Sequence, residues 1–380
     1  MIIYRSCLTQ NAHEVVQKGT YMKALITSGG KGTRLRPITH TSNKHLIPIA
    51  NKPMIHFAIE AVLEAGIKDV GILYNPDTGD EIKKALGDGG QWGMRFTYIL
   101  QEAPLGLAHV VKVSQDFLGN EPFVFYLGDN VVVGGIKRFI DDFKRNGSNC
   151  HLVLSRVHDP ERFGVPEIKD GKIVRVEEKP SVPKSQYAVT GIYIYDSTIF
   201  EAVNNIKPSA RGELEISDAH DYLINHGYKV GYSEITGWWK DTGKPEDLLE
   251  ANRLTLDRII GDHESLINGK VDDASDIAGK VIIESGAQII RSSIRGPVII
   301  GENTVIEDSY IGPFTSIYYG CHIKNSEVEY SIILEKCKIV DADIRIERSL
   351  LGREAEIIKC RTKPKTQKFI IGDQSIVELI

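Results

Sequence analysis

Two short stretches concentrate groups suited to holding an anion. In Ala24-Leu-Ile-Thr-Ser-Gly-Gly-Lys-Gly-Thr-Arg-Leu-Arg-Pro37, Gly29, Gly30, Gly32 and Thr33 leave an apolar segment and run into Arg34 and Arg36; Asn43-Lys-His-Leu-Ile-Pro48 adds Lys44. A glycine-rich loop leaving a strand exposes main-chain N–H groups, and cations beside those amides complement a polyphosphate. Neither common nucleotide motif is present. No Gly-Lys-Ser/Thr closes the loop as in a Walker A sequence, and Leu35 stands where the third glycine of G-x-G-x-x-G would fall. A plain turn with surface cations has a similar local composition, so the reading depends on what accompanies the loop.

Two aspartates stand out. Asp129 closes an apolar run in Leu127-Gly-Asp-Asn130, and Asp241 lies in Trp238-Trp-Lys-Asp-Thr-Gly243. A carboxylate pair can hold Mg²⁺, which prefers oxygen ligands and bridges phosphates, although either aspartate alone would serve as a turn or cap residue. Gln101 ends a strand-like run ahead of Leu105-Gly-Leu-Ala108. Its carboxamide offers a donor and an acceptor, as the edge of thymine or uracil does, or it caps the next helix. Lys179 in Glu177-Glu-Lys-Pro180 would ordinarily be a solvated charge, and His45, His109 and His322 are read as structural.

The string G-G-x-G-T-R-L-x-P over 29–37, the lysine ten residues after Arg34, and Lys52-Pro53-Met54 together resemble the signature of the sugar-1-phosphate nucleotidylyltransferases, most closely the long form of the glucose-1-phosphate thymidylyltransferases. The resemblance covers about 22–250. It implies that Asp129 and Asp241 bind Mg²⁺, that Lys179 holds the phosphate of the sugar 1-phosphate, and that Glu178 contacts sugar hydroxyls. Phe163-Gly-Val165 and Tyr187-Ala-Val-Thr-Gly191 also match, which implies main-chain contacts of Gly164 and Val189 with the sugar; Arg211-Gly-Glu-Leu-Glu-Ile216 is read mainly as structural. Gln101 and Gly106 are implied to read the base. The departure is Thr27-Ser28, where relatives usually carry leucine-alanine; both residues are small enough to keep the turn. The implied reaction joins dTTP and glucose 1-phosphate into dTDP-glucose and pyrophosphate, with Arg34 and Lys44 neutralising phosphate charge. Alternatives are the same chemistry with UTP or another sugar phosphate such as N-acetylglucosamine 1-phosphate, an added acyltransferase activity near His322, and a non-catalytic sugar-nucleotide sensor.

These groups need a frame. From 22 to about 258, short apolar runs alternate with helical patterns, among them apolar positions 54, 55, 58, 59, 62 and 63 after Pro53, a run at Val70–Tyr74, and a helix over Leu107–Phe117. Such alternation predicts an α/β, Rossmann-like domain with a mostly parallel sheet, whose ligands bind beyond the carboxyl ends of strands. A hairpin is predicted over 165–177. From 281 the rhythm changes. Ile283, Ile289, Ile294, Ile300, Ile306, Ile311, Ile317, Ile323 and Val328 recur every five or six residues, continuing less regularly through Ile339, Ile344, Leu351 and Ile357. This is the period of a hexapeptide, left-handed parallel β-helix. The expected layout is a loosely held extension at 1–21, a catalytic domain at 22–258, a linker at 259–280 and the β-helix at 281–380, with 369–380 as a last coil or cap.

A chain of 380 residues accommodates two cores, and a net charge of −5 gives no sign of nucleic-acid binding. Cys7, Cys150, Cys321, Cys337 and Cys360 lack C-x-x-C spacing, which argues against a zinc site or disulfide framework and fits a reducing, cytoplasmic setting. No run approaches the roughly 18 apolar residues of a membrane span, and the first 21 residues lack a signal peptide's apolar core. The β-helix is most simply a domain for homo-oligomer assembly or regulation.

Overall fold

The computed structural model describes residues 21–30, 32–259, 265–361, 363 and 367–378. The expected extension therefore lies, except for Tyr21, outside the described residues, as does Lys31.

A nine-stranded sheet organises the first domain. Its strands are β1 (Lys23–Thr27), β2 (Asp69–Tyr74), β3 (Arg95–Leu100), β4 (Phe123–Leu127), β5 (Cys150–Arg156), β6 (Gly164–Lys169), β7 (Lys172–Glu178), β8 (Tyr187–Tyr195) and β9 (Val230–Glu234). The main path runs β7-β6-β8-β4-β1-β2-β3, with β5 between β8 and β9. The run β4-β1-β2-β3 is parallel, while β8 meets β4, β5 and β6 antiparallel. Strand periodicity explains the layering. Ala24 and Ile26 join Ile55, Ile59 and Val62 of helix Met54–Glu64 on one face, whereas Leu25 joins Phe123, Phe125, Tyr193 and Tyr195 on the other.

The parallel run puts successive carboxyl ends side by side: Gly128-Asp129 after β4, Ser28–Gly30 after β1, Asn75 after β2 and Gln101 after β3. The predicted hairpin is present as β6 and β7, and Asp170 and Gly171 take the positive φ values (49° and 72°) that a tight turn requires. The segment before Pro53 contains short 3₁₀ turns at Thr33–Leu35, Ile38–His40 and Lys44–Leu46. One local expectation needs correction. The helix expected over 107–117 divides into Leu107–Val113 and Gln115–Leu118, because Ser114 Oγ donates back to the Val110 carbonyl at 2.8 Å.

The second domain is a β-helix with three all-parallel faces of six, six and five strands. The nine aliphatic positions from Ile283 to Val328 are all buried along its axis. Serine ladders reinforce one edge: Ser309 N–H donates to Ser292 Oγ across a 17-residue coil, and Ser326 N–H to Ser309 Oγ. Three boundaries differ from expectation. The coil starts at Leu266–Ile267, which pairs with Ile282 and Ile283, so 266–280 is a first turn of the β-helix and not a linker. Ile344 is exposed and Ile346 stacks on Val328 instead; the coil spanning Asp341–Asp343 is a residue longer, which shifts the inward phase. The segment 367–378 forms no strand, and Phe369, Ile370 and Ile376 are exposed, so it is not a further coil. Ile357 on the last strand is also exposed, as nothing among the described residues stacks over it.

The two domains share a core. Ile332 and Leu334 of the β-helix pack with Leu35, Ile47, Ile49 and Met54 of the first domain and with Leu248, Leu249 and Ala251 of helix Pro245–Ile259. Asn252, wholly buried, ties three segments together. Its Oδ1 accepts from Ala50 N–H and Ser316 Oγ, both at 2.8 Å, and its Nδ2 donates to the Phe314 carbonyl at 3.1 Å. The rungs generate a direct contrast. Ile311→Ala should lower stability by about 2–5 kcal/mol, whereas Ile344→Ala should stay within about 0.5 kcal/mol of the parent. Urea unfolding of both variants checks the phase shift.

Candidate active site

The loop after β1 is shaped by close approaches that exclude side chains. Gly32 has φ +61°, and a Cβ there would lie 3.0 Å from Thr39 Cγ2; its carbonyl accepts from Thr39 Oγ1 at 2.7 Å. A Cβ on Gly30 would lie 2.8 Å from Lys44 Cε, so the second stretch folds directly over the first. The unusual Thr27-Ser28 pair is accommodated by hydrogen bonding. Ser28 Oγ donates to the Leu73 carbonyl at 2.6 Å, and Thr27 Oγ1 accepts from Gly128 N–H at 3.2 Å.

Asn43 caps the turn that carries Lys44. Its Oδ1 accepts from His45 N–H at 2.8 Å, and its Nδ2 donates to the Ser28 carbonyl at 2.9 Å. Lys44 Nζ then pairs with Asp129 Oδ2, and both side chains are largely buried, at 12% and 13% exposure. Asn130 Nδ2 donates to the other Asp129 oxygen at 2.9 Å, while Asn130 Oδ1 accepts from Trp239 Nε1 at 2.6 Å. The short strand Trp239–Asp241 pairs antiparallel with Asn130–Val132, which sets Asp241 opposite Asn130 and beside Asp129. A Cβ on Gly243 would fall 2.5 Å from Arg34 Nη2, so the guanidinium lies against the segment that carries Asp241. Arg34, Lys44, Asp129 and Asp241 are thus one cluster.

Its electrostatics are dominated by the close approach of the two carboxylates and the two cations. Burial works to raise the Asp129 carboxyl, but Lys44, His45 and the bonds from Lys44 and Asn130 outweigh it and hold the group well below the carboxylate range. Burial and then the Asp129 charge push Asp241 up to about 6, against the pull of Lys44 and Arg34. Asp129 and Asp241 form an adjacent all-oxygen donor pair, and a hard divalent cation between them would offset the repulsion that raises Asp241.

A second cluster lies along β8. Gly164 on β6 pairs with both Glu178 on β7 and Val189 on β8. Lys179 follows with φ 44°, its N–H donating to the Phe163 carbonyl at 2.9 Å and its Nζ 3.6 Å from Glu178 Oε1. Ser217 Oγ donates to Glu178 Oε2 at 2.8 Å, and Arg211 Nη2 lies 3.5 Å from Glu178 Oε1 and 2.8 Å from Glu215. Two residues beyond Val189, Gly191 N–H approaches Asn130 Oδ1 at 3.4 Å. Buried Tyr193, farther along β8, feels Glu178, Asp129 and Asp241 together, and burial with those charges raises its hydroxyl well above its ordinary range. The second cluster therefore adjoins the first through the Gly191–Asn130 approach.

A third group sits on the opposite flank. Gln101 Nε2 donates to the Gly106 carbonyl at 3.3 Å and meets His109 Nδ1 at 3.2 Å. Gly106 (φ +97°) leaves no room for a Cβ, which would be 2.4 Å from the Leu214 carbonyl oxygen. Asn75 links this flank to the glycine loop, with Nδ2 donating to the Gly29 carbonyl at 2.7 Å.

This arrangement has known counterparts. Residues 23–258 match the model of a family described as nucleotidyl transferase. The chain belongs to that family. Over 359 residues it is 46% identical to a glucose-1-phosphate thymidylyltransferase of Streptomyces griseus, covering 94% of this chain and 99% of the relative. A solved Bacillus anthracis structure assigned to the same enzyme superposes with a TM-score of 0.59 at 42% identity, over 61% of this chain and 94% of that one. A UDP-glucose pyrophosphorylase solved with UDP-glucose gives 0.56 at 26% identity, over 61% and 97%.

Within this nucleotidyl transferase, several site residues escape sequence reasoning. Ser217 and Arg211 both orient Glu178, although the Arg211 segment reads as structural. Asn130 and Trp239 brace Asp129, Asn75 holds the glycine loop, and His109 touches Gln101. For Asn130 and Trp239 the available signal is adjacency to predicted site residues, in Asp129-Asn130 and Trp239-Lys-Asp241; Ser217, Arg211 and Asn75 carry no such signal. His45 is structural as expected: burial first, then Lys44, lower its imidazole to about 3 despite Asp129. Its Nδ1 faces Asn43 Oδ1 at 2.8 Å, which assigns the proton to Nδ1. The unfolded chain would protonate this histidine near pH 6.5 while the folded chain resists. Folded stability contributed by His45 therefore falls below pH 6.5, by about 1.4 kcal/mol per pH unit down to the folded value. Histidine NMR of the folded chain should show His45 neutral from pH 8 to pH 5; a midpoint near 6.5 would contradict its burial.

Proposed function

We propose that this chain is a glucose-1-phosphate thymidylyltransferase, which forms dTDP-glucose and pyrophosphate from dTTP and glucose 1-phosphate. The observation that carries the reading is the convergence of Arg34, Lys44, Asp129 and Asp241 at the carboxyl ends of β1 and β4, flanked on the β8-β6-β7 side of the sheet by Val189, Gly164, Glu178 and Lys179. The near full-length similarity to an enzyme of that name supplies the substrates.

A phosphate oxygen of glucose 1-phosphate is ionised near neutral pH, so attack on the α-phosphorus of dTTP needs no general base. The new P–O bond forms as the bond to the β-phosphate breaks, and pyrophosphate departs with the electron pair. What the protein must supply is alignment and charge neutralisation. Lys179 holds the attacking phosphate while Glu178, oriented by Ser217 and Arg211, accepts from sugar hydroxyls. Arg34 and Lys44 balance charge on the α-phosphate and the leaving group, and the amides of Gly29, Gly30, Gly32 and Thr33 line the polyphosphate path. Asp129 and Asp241 would hold Mg²⁺, which neutralises triphosphate charge when bound. Gln101 and Gly106 face the base edge. The stacked coils of the β-helix support assembly as a homo-oligomer. The scattered thiols support a reducing, cytoplasmic setting: Cys150, Cys321 and Cys337 are buried and free. No helix among the described residues is long and apolar enough to cross a membrane.

Pyrophosphate release with glucose 1-phosphate and Mg²⁺ should be faster with dTTP than with UTP, ATP or GTP. Release with UTP alone would keep the mechanism and change the nucleotide; silence with all four would overturn the reading. Arg34→Ala should lower turnover by roughly 10²–10³ with the fold intact, by analogy with the loss of one preorganised donor.

A further inference from the structure

The segment that carries Lys44 is held from outside its own domain. Arg353 lies at a corner of the β-helix just after strand Leu350–Leu351. Its Nη2 donates to Ser42 Oγ and approaches Glu81 Oε1 at 3.4 Å, while its Nε lies 3.3 Å from Glu335 on the preceding coil. The second oxygen of Glu81 accepts from Asn43 N–H at 2.6 Å. Asn43 is the cap of the turn bearing Lys44, and its side chain also reaches Ser28 and Thr78 Oγ1. A continuous polar connection therefore runs from Glu335 through Arg353, Ser42, Glu81 and Asn43 to Lys44 and Asp129. Beside it, the β-helix backbone at Gly352 packs against the loop itself, where a Cβ would stand 3.6 Å from Ile38 Cγ1.

We infer that Arg353 is a positioning residue for nucleotidyl transfer, by which the β-helix fixes the turn that presents Lys44. The inference rests on the transferase reading above. Arg353 is 44% exposed and Glu81 31%, so the ion pair adds little to global stability. The Ser42 end, by contrast, is buried, and two bonds converge on the two residues directly before Lys44. Arginine suits the position because its planar fork reaches Glu335 and Ser42 from separate nitrogens. A contact of this kind acts on placement. Lys44 neutralises charge that grows in the transition state, so its misplacement lowers kcat more than it raises KM.

The test compares full-length Arg353→Ala, Arg353→Lys and a control, Arg295→Ala, which removes an ion pair with Asp276 on an exposed β-helix face. Arg353→Ala should lower kcat by about tenfold, leave KM for dTTP and glucose 1-phosphate within about twofold, and keep its melting temperature within a few degrees of the parent. Arg353→Lys should recover part of the loss, and Arg295→Ala should match the parent. Hydrogen exchange should quicken at Asn43–Leu46 in Arg353→Ala alone, with or without substrates. An unchanged kcat overturns the inference, as does a loss of equal size in Arg295→Ala or one confined to KM. A parent chain inactive with every nucleotide would strike the transferase reading instead; exchange at Asn43–Leu46 would then decide whether Arg353 holds the turn.

Discussion

The Lys44–Asp129 ion pair is the contact on which the site's geometry depends. It joins a loop of little regular structure to the end of a central strand, and it does so in a largely buried position. Breaking such a pair by removing one partner costs about 3–5 kcal/mol, because a charge is left without compensation. The surroundings are built to permit it. Gly30 leaves room for the Lys44 side chain, and Gly128 lets the turn into Asp129 pass the Thr27 carbonyl, where a Cβ would stand 2.2 Å away. Asn130 fixes the second oxygen of Asp129 and is itself fixed by Trp239. The glycines do not confer flexibility here. They let two charged segments and two strand ends approach more closely than side chains would allow.

That closeness has an electrostatic consequence. Asp129 is paired with Lys44, whereas Asp241 lies beside it and is pushed up to about 6 by burial and then by the Asp129 charge, against a weaker pull from Lys44 and Arg34. Arg34, packed on Gly243, offsets this only in part. The pocket is thus organised around an excess of fixed charges of both signs, preorganised before any substrate arrives. Such fixed charges cost no reorganisation at the moment of reaction, which is how a site without a general base can still accelerate phosphoryl transfer.

Much of this was legible in the sequence, for definite reasons. The sheet strands are continuous apolar runs because both faces are covered, and the β-helix core repeats every five or six residues because each corner must be filled. Both patterns are local and survive without knowledge of tertiary contacts. Asp129 and Asp241, far apart in sequence, were recognisable only through short motifs, and the register of two three-residue strands explains why those motifs travel together. Ser217, Arg211 and Asn75 were not legible as site residues. Each acts by hydrogen bonding to a distant partner, and no periodicity marks such a bond. The start of the β-helix was missed because Leu266–Ile267 and Lys270–Val271 are the exposed end of the coil, where the aliphatic pattern weakens. The phase slip at Ile344 was hidden by a coil one residue longer than its neighbours.

The docking of the two domains was also invisible from sequence, and it changes how the second domain is understood. The loop over 28–53 carries Arg34 and Lys44, yet among its described residues the regular elements are only 3₁₀ turns and two-residue strands. Short 3₁₀ turns have poor hydrogen-bond geometry and cannot hold a shape alone. Rigidity must come from what flanks them. On one side are β1 and the Asn75–Glu81 segment; on the other are Ile332, Leu334, Leu350 and Arg353, presented by coils hydrogen-bonded to each other along their length. A stack of parallel coils is well suited to this task, since each rung is fixed by two neighbours and its corners project side chains at set intervals. Asn252 shows how closely the halves are joined. One buried carboxamide satisfies the hairpin at Ala50 and two β-helix residues at once, so separating the domains would leave several buried polar groups unpaired. The β-helix is therefore part of the wall that shapes the loop, whatever further role its exposed faces have in assembly.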